Sequence, residues 1–412
     1  MSNVIVTGGG AAGMMAAYAA AERGHSVVLI EKNEKLGKKI FITGKGRCNV
    51  TNACEQDKLF ENVVSNPKFL YSAFYDFDNQ QLMELIKSAG CPLKVERGER
   101  VFPVSDHSSD IIAAMERLMR KKGVEIRLHR TVSEVLAQDG QVTGVKTTDG
   151  KTFAADAVVL ATGGLSYPTT GSTGDGYRMA KNLGHTVKEC TPALVPMEIS
   201  EPWCRLLQGL SLKNVTLTMA CGTKKIWQGF GEMLFTHFGL SGPLVLSASS
   251  FYHKCKNPDE VTVTVNLKPA LTAEQLDKRI LREFEQNLNK QFKNVIGSLY
   301  PAKLTPVMIS LSGIDGEKKI HEITRKEREN LVELTRNLQM HVSGLRDYTE
   351  AIITQGGIKV KEVNPSTMES RLVKGLYFAG ELLDLDGVTG GFNLQIAWST
   401  GHLAGSSIPD GD

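Results

Sequence analysis

The chain has 412 residues, 48 Lys and Arg against 45 Asp and Glu, a net charge of +3, and 41% hydrophobic with 23% charged residues. That length suits two or three domains with a large core, and the composition is that of an ordinary globular protein. A balance so near neutral gives no case for attraction to nucleic acid or a membrane surface, and no apolar run approaches the length of a span.

The first strand, Val4-Ile5-Val6-Thr7, begins almost at Met1 with no basic stretch before it, so no signal peptide is expected. The turn Gly8-Gly9-Gly10-Ala11-Ala12-Gly13 follows, then a helix of small residues from Met14 to Arg23, stopped by Gly24. Val27-Val28-Leu29-Ile30 is a second strand, ending on Glu31. This is a βαβ unit with G-x-G-x-x-G in its turn. Gly8 permits the tight turn, Gly10 lets a pyrophosphate approach the backbone, and Gly13 allows helix and strand to pack closely. The helix start offers unpaired N–H groups to the phosphates. Glu31, 18 residues beyond Gly13, is placed to accept hydrogen bonds from a ribose.

A glycine- and lysine-rich stretch, Gly37 to Asn49, comes next. Helical patterns cover Pro67–Asp76, Asn79–Ala89 and Asp106–Lys122, the last with Ser105 or Asp106 as cap and Gly123 as stop. Val124–His129 alternates as a strand. Val132–Gln138, Val142–Thr147 and Thr152–Phe153 form a meander, with Asp139-Gly140 and Asp149-Gly150 as turn signals. It leads into a buried strand, Ala157–Thr162, followed by Gly163-Gly164.

From Thr191 the texture changes. Leu194–Ile199, Leu212–Ala220, Lys224–Trp227 and Val261–Val265 read as strands, and helical patterns dominate from Thr272 to Leu338. The α/β texture returns with the strand Leu376–Ala379, a turn at Gly380-Glu381, and a closing helix from Phe392 to His402. The nucleotide-binding domain is therefore expected to be discontinuous, with an insertion in its middle. The seven cysteines, Cys48, Cys54, Cys91, Cys190, Cys204, Cys221 and Cys255, contain no C-x-x-C and fit no zinc pattern, so no metal site is expected and reduced cytosolic thiols are.

The three segments around Gly8, Gly163 and Gly380 resemble the ordered FAD segments of glutathione-reductase-type flavoproteins. Several further stretches extend the likeness. They are Gly44 to Asn52, Ser166 to Gly176, Phe235 to Pro243, and Gly380-Glu381 through Asp386-Gly387 to Gln395. Together they resemble the bacterial FAD/NAD(P)-dependent oxidoreductase family that includes the BaiN-type flavin reductases and the aminoacetone oxidases. The resemblance spans nearly the whole chain. It implies an α/β fold: a Rossmann-like FAD-binding domain of the glutathione-reductase type, with an inserted β-barrel-like domain carrying a nested helical domain. The expected ranges are 1–190 with 355–412 for the FAD domain, 191–268 with 339–354 for the barrel, and 269–338 for the helices.

Within that frame Gly8, Gly10, Ala11, Ala12 and Gly13 hold the pyrophosphate, and Glu31 the adenosine ribose. Lys32 and Lys39 join the cofactor-binding group. Val132 stands where such folds bind adenine through the backbone. Ala161, Thr162 and Gly163 pass close to the cofactor, as do Gly380 and Glu381. The loop with Lys45, Gly46, Arg47, Cys48 and Asn49 is expected beside the flavin ring, where Lys45, Arg47 and Asn49 donate hydrogen bonds; as a thiol, Cys48 is expected only as a small buried residue. Gly391 and Asn393 open the closing helix, whose N-terminus favours negative charge on the reduced ring. Asn393 is a candidate for contact with that ring, and Asp384 or Asp386 for the ribityl chain or the hydroxyls near the phosphates.

On the substrate side His237, in a turn of the insertion with Thr236 and Ser241, is the candidate proton-transfer residue. Tyr167 is a second. Only one G-x-G-x-x-G is present, so NADH or NADPH is expected as a transient donor rather than the tenant of its own domain. The expected activity is that of a cytoplasmic FAD-dependent oxidoreductase, an NAD(P)H-linked reductase of a small organic molecule such as an enone, with no nucleic-acid or membrane partner. The alternatives are an amine oxidase using oxygen, an RNA-modifying flavoprotein, and a flavoprotein without turnover.

Overall fold

The computed structural model describes residues 1–411, in two compact units: 1–193 with 347–411, and 194–346. The first unit is built on a five-stranded parallel sheet. Its strands are β1 (Asn3–Thr7), β2 (Ser26–Ile30), β3 (Glu125–Arg127), β4 (Ala157–Leu160) and β5 (Leu376–Phe378), in the order β5-β4-β1-β2-β3. Helix α1 (Ala11–Glu22) connects β1 to β2, α2 (Asp175–Asn182) follows β4, and α3 (Phe392–Ser406) closes the chain. β4 is buried at every position, as expected for a parallel strand covered on both faces.

Small residues decide how this unit packs. A Cβ at Gly13 would lie 1.8 Å from the carbonyl oxygen of Gly8, so only glycine lets α1 rest on its own turn. The contact between α1 and α3 has the same character. Cβ atoms at Gly401 and Gly405 would each come within 2.3 Å of a carbonyl oxygen of α1, those of Ala12 and Ala16. The first and last helices thus meet backbone to backbone. Trp398, fully buried, ties α3 to the rest through a 3.1 Å hydrogen bond from Nε1 to the Val50 carbonyl.

The meander is present as Val132–Gln138, Gln141–Thr147 and Thr152–Ala154. A small sheet of Thr51–Asn52, Leu93–Glu96 and Arg100–Pro103 has no counterpart in the sequence reading. The helix expected over 106–122 runs Ser108–Lys121, and neither Ser105 nor Asp106 caps it. Asp106 stands at φ +60 with its carboxylate held by Lys94 at 2.8 Å and by Arg47. Val187–Ala193 and Ile353–Ile358 pair with each other in the first unit, so residues 347–354 lie there and not with the barrel.

The second unit is a closed six-stranded antiparallel barrel, in the order Met197–Ile199, Gly239–Ser241, Lys224–Phe235, Ser211–Cys221, Val261–Asn266, Leu338–Leu345. Alternation builds its interior: Val261, Val263 and Val265 are buried, and the residues between them are not. The helices Ala273–Glu285, Thr305–Ser312 and Arg325–Arg336 share one apolar core with the barrel, in which Ile280 and Leu331 join Val263 and Met340.

The cysteines require a correction. Cys221 and Cys255 form a disulfide, with Cα atoms 5.6 Å apart, inside the usual range of roughly 4.4–6.8 Å. Cys221 pairs across the sheet with Val261, and Cys255 lies just upstream of Val261. The 34-residue separation hides this proximity. No helix among the described residues is long and apolar enough to cross a membrane.

The α1–α3 contact yields a first prediction. Gly401→Ala and Gly405→Ala should each lower thermal stability by about 1–3 kcal/mol, because the added methyl meets backbone that cannot yield cheaply. Unchanged unfolding temperatures in both variants would show that the helices do not pack at this distance.

Candidate functional site: a nucleotide cavity at the strand ends

The C-terminal ends of β1, β2, β4 and β5 converge on a cavity of about 1300 Å³, counted out to its open mouth. This is where open α/β sheets bind ligands. The cavity floor is the glycine turn. Gly8 is at φ +105, and a Cβ there would lie 2.5 Å from the Ala161 carbonyl oxygen, so the turn backbone lies directly on the chain leaving β4. A Cβ at Gly10 would meet nothing within 4 Å. Helix α1 has no side-chain cap and no acid in its first turn, which leaves N–H groups without side-chain partners. Two buried hydroxyls on the wall, Thr7 Oγ1 and Thr162 Oγ1, have no hydrogen-bond partner among the described residues.

Of the residues expected to hold the cofactor, Gly8, Gly10, Ala11, Ala12, Glu31, Lys32, Lys39, Val132, Ala161, Thr162, Gly163, Glu381 and Asn393 line this cavity. Glu31 is 8% exposed. Its Oε2 accepts the Gly9 N–H at 2.6 Å, and its Oε1 accepts both the N–H and the Nδ2 of Asn33, at 2.8 and 2.7 Å. A carboxylate has about four acceptor positions. Three are filled, and one on Oε2 is open to a ligand hydroxyl. Lys32 donates to Thr173 Oγ1 at 2.6 Å and pairs with Asp175 at 2.7 Å. Lys39 pairs with Glu381 and also donates to Ser166, while Glu381 Oε1 accepts from Ser166 Oγ and from the Thr354 N–H.

The other expected residues do not reach the cavity wall, for identifiable reasons. Gly13 packs on Gly8. A Cβ at Gly380 would lie 2.7 Å from the Ala12 Cβ, and one at Gly391 would lie 2.4 Å from the Thr51 backbone, so both glycines serve packing. In the Gly44–Asn49 loop only the preceding Thr43 lines the cavity. Gly46, at φ +86, forms part of a turn. The Arg47 guanidinium pairs with Glu96 and Asp106 and stacks on Phe102, its carbon 4.2 Å from the ring centroid. Cys48 is fully buried, and burial pushes its thiol up to about 12, so it is no thiolate. Asn49 keeps a buried Oδ1 without a partner among the described residues.

Asn393 does line the cavity, but its amide is engaged elsewhere. Oδ1 accepts the Gly387 N–H at 2.9 Å, and Nδ2 donates to the Gly387 and Val388 carbonyls at 2.8 and 3.2 Å. It pins the turn ahead of α3. Asp386 is wholly buried beside Leu385, which does line the cavity. Its Oδ2 accepts from Gln355 at 3.0 Å, and its Oδ1 has no partner among the described residues. Burial pushes its carboxyl up to about 6, against hydrogen bonds from Ser65 and Gln355. Asp384 instead accepts from Asn66 and pairs with Lys188.

His237 belongs to the second unit. It is exposed in a tight turn, where Thr236 N–H donates to the Gly239 carbonyl at 2.8 Å, and its ring lies edge-on to Phe238 at 4.9 Å. Tyr167, at φ +51, opens the short turn Pro168–Thr170, and burial raises its hydroxyl pKa. The sequence reading assigned no role to Thr170, Gly171, Ser172 and Asp175, which form one cavity wall, although the Ser166–Gly176 stretch had been marked by resemblance. It also missed Arg130 and Ile352–Ile353, whose place in the wall no local pattern announces.

An uncapped helix end, two hydroxyls unpartnered among the described residues and a cavity at the strand ends floored by backbone fit a dinucleotide. The chain is an FAD-dependent oxidoreductase. More particularly it belongs to the HI0933-like family, whose Rossmann-domain description matches residues 2–407. It is 32% identical over 414 residues to a 3-dehydro-bile acid delta(4,6)-reductase of Clostridium scindens, covering 100% of both chains. It is 32% identical to a ribosomal RNA dihydrouridine synthase of Haemophilus influenzae, covering 99% of this chain and 98% of that one. The protein of the same name from Escherichia coli is 31% identical, over 97% and 96% of the two chains. Among solved structures, a 3-ketosteroid-delta4-(5alpha)-dehydrogenase of Rhodococcus jostii shares the fold, with a TM-score of 0.53 at 15% identity over 98% of this chain and 96% of that one.

Asp386 gives a pH-dependent prediction. Its carboxyl is raised in the fold from 3.8 to about 6, so the native state prefers it protonated. Its contribution to stability is full below about 3.8 and is lost as pH rises through about 6. Asp386→Asn should therefore stabilise the apoprotein above pH 7 by on the order of 2–3 kcal/mol, with the gain fading as pH falls towards 4. Thermal unfolding across that range checks it, and a pH-independent gain contradicts the assignment.

Proposed function

We propose that the protein is a reductase of carbon–carbon double bonds conjugated to a carbonyl, drawing on NADH or NADPH as a transient donor. The observation that carries the reading is the nucleotide cavity at the strand ends, with a backbone floor suited to a resident dinucleotide. The names of the relatives support the bond type. One reduces double bonds conjugated to a 3-oxo group. The others make dihydrouridine, which requires reduction of a ring double bond conjugated to a carbonyl. Two unlike substrates share one electronic demand.

In this reading FAD, when bound, supplies hydride transfer between donor and substrate carbon. The chain supplies the rest. The N–H groups opening α1 hold the pyrophosphate, the free position on Glu31 Oε2 takes a ribose hydroxyl, and Thr7 and Thr162 offer hydroxyls to the cofactor's polar edge. The N-terminus of α3, fixed by the Asn393 clamp, favours negative charge at the far end of the cavity. His237, a residue of the second unit, is carried forward as the candidate for the proton that must accompany hydride addition on the chemistry of imidazole alone.

The purified protein should be yellow, and NADH or NADPH should bleach it anaerobically, with colour returning on addition of an enone. A colourless protein that takes up no FAD defeats the cofactor assignment; failure of both nicotinamides to bleach it defeats the reductase. Bleaching by a primary amine, with peroxide on re-aeration, would establish the oxidase alternative instead. His237→Ala should cut reoxidation by the enone by about 10²-fold while leaving the bleaching rate intact. Equal loss in both half-reactions would remove His237 from the role.

The names of two relatives favour a second reading, reduction of uridine within RNA. Its signature is NAD(P)H-dependent formation of dihydrouracil in added ribosomal RNA, with binding that weakens steeply as salt rises.

A further inference from the structure

We propose that residues 165–174 are a strap that gates the nucleotide cavity and must swing out for the cofactor to enter or leave. The inference rests on the FAD reading above. The strap connects the chain leaving β4 to helix α2. Gly163 at φ +73 stands before it and Gly174 at φ +79 ends it, and between them the chain makes only the short turn Pro168–Thr170. Thr170, Gly171 and Ser172 face the cavity from one side, and Lys32, Asn33 and Lys39 from the other. The two sides are joined. Asn33 Nδ2 donates to the Thr170 carbonyl at 3.0 Å, Lys32 holds Thr173 and Asp175, and Lys39 holds Ser166. The strap backbone lies hard against the opposite side: a Cβ at Gly171 would come within 2.7 Å of Asn33 Nδ2 and 3.0 Å of Lys32 Cε.

What holds the strap is polar. Its fully buried residues are Ser166 and Ser172, and no apolar side chain in it is fully buried. Leu165, at its start, is its one aliphatic side chain packed, half-buried, against the core, so the rest of the segment opens at a lower free-energy cost than a helix held by a buried apolar face. The Lys32–Asp175 pair is about a quarter exposed, with side-chain exposures of 26% and 27%, so it is a weak bond rather than a permanent one. The tethers come from the residues just after β2, where Glu31 also stands. The strap therefore closes over the part of the cavity assigned to the adenosine.

A latch and a binding contact have different kinetic signatures. Loosening a latch speeds both entry and exit of the ligand, whereas loss of a contact speeds exit alone. Thr173→Ala removes one tether at a residue outside the cavity wall. In stopped-flow measurements of FAD fluorescence with apoprotein, Thr173→Ala should raise association and release rates together, by about fivefold, leaving Kd within about twofold. Faster release with unchanged association, or no change in either rate, overturns the strap. Should a variant fail to fold, hydrogen exchange on the wild type decides: residues 165–174 should exchange faster than α2 in the apoprotein and slow when FAD is added. Strap protection equal to that of α2 without FAD also overturns it. A wild-type protein that takes up no FAD fails the cofactor reading itself, a separate outcome.

Discussion

Everything in the nucleotide-binding unit depends on backbone meeting backbone. Helix α1 rests on the glycine turn through Gly13, the turn rests on the chain after β4 through Gly8, and α3 rests on α1 through Gly401 and Gly405. Side chains at these points would hold the elements apart. Their absence brings four chain segments, from both ends of the sequence, to one cavity floor. The N–H groups and hydroxyls that this packing leaves without partners are the groups a phosphate and a ribose require. Tight packing and ligand affinity therefore have the same origin.

The same economy appears in the charged residues. Glu31 joins the glycine turn to Asn33, and Asn33 reaches on to the strap. Glu381 joins Lys39, Ser166 and Thr354. Each carboxylate is chiefly a junction between segments remote in sequence. Either one touches a ligand only with the capacity its protein partners leave free.

Much of this was legible in the sequence. The βαβ unit announced itself because strand, turn, helix and acid are local and ordered. The meander did so because Asp139-Gly140 and Asp149-Gly150 mark its turns. The discontinuity of the nucleotide-binding unit followed from the return of α/β texture near Leu376. What failed was non-local. Arg47 looked available for a ring until Glu96 and Asp106 came beside it from across the small sheet. Asn393 looked free until its amide closed on Gly387. Cys221 and Cys255 looked like separate thiols until the barrel strands brought them together. The strap's tethers join residues about 140 positions apart, and no spacing rule reaches that far.

The discontinuous unit has a consequence for how the protein is made. At about 5–20 residues per second, the roughly 150 residues of Leu194–Arg346 take about 8–30 s to emerge after the first 193. Throughout that interval β4 lacks its partner β5, and the small-residue face of α1 lacks α3. A nascent chain thus carries an open parallel edge and an uncovered helix face until Leu376–Phe378 and Phe392–Ser406 arrive. A truncation that removes β5 and α3 would prolong that waiting period without end.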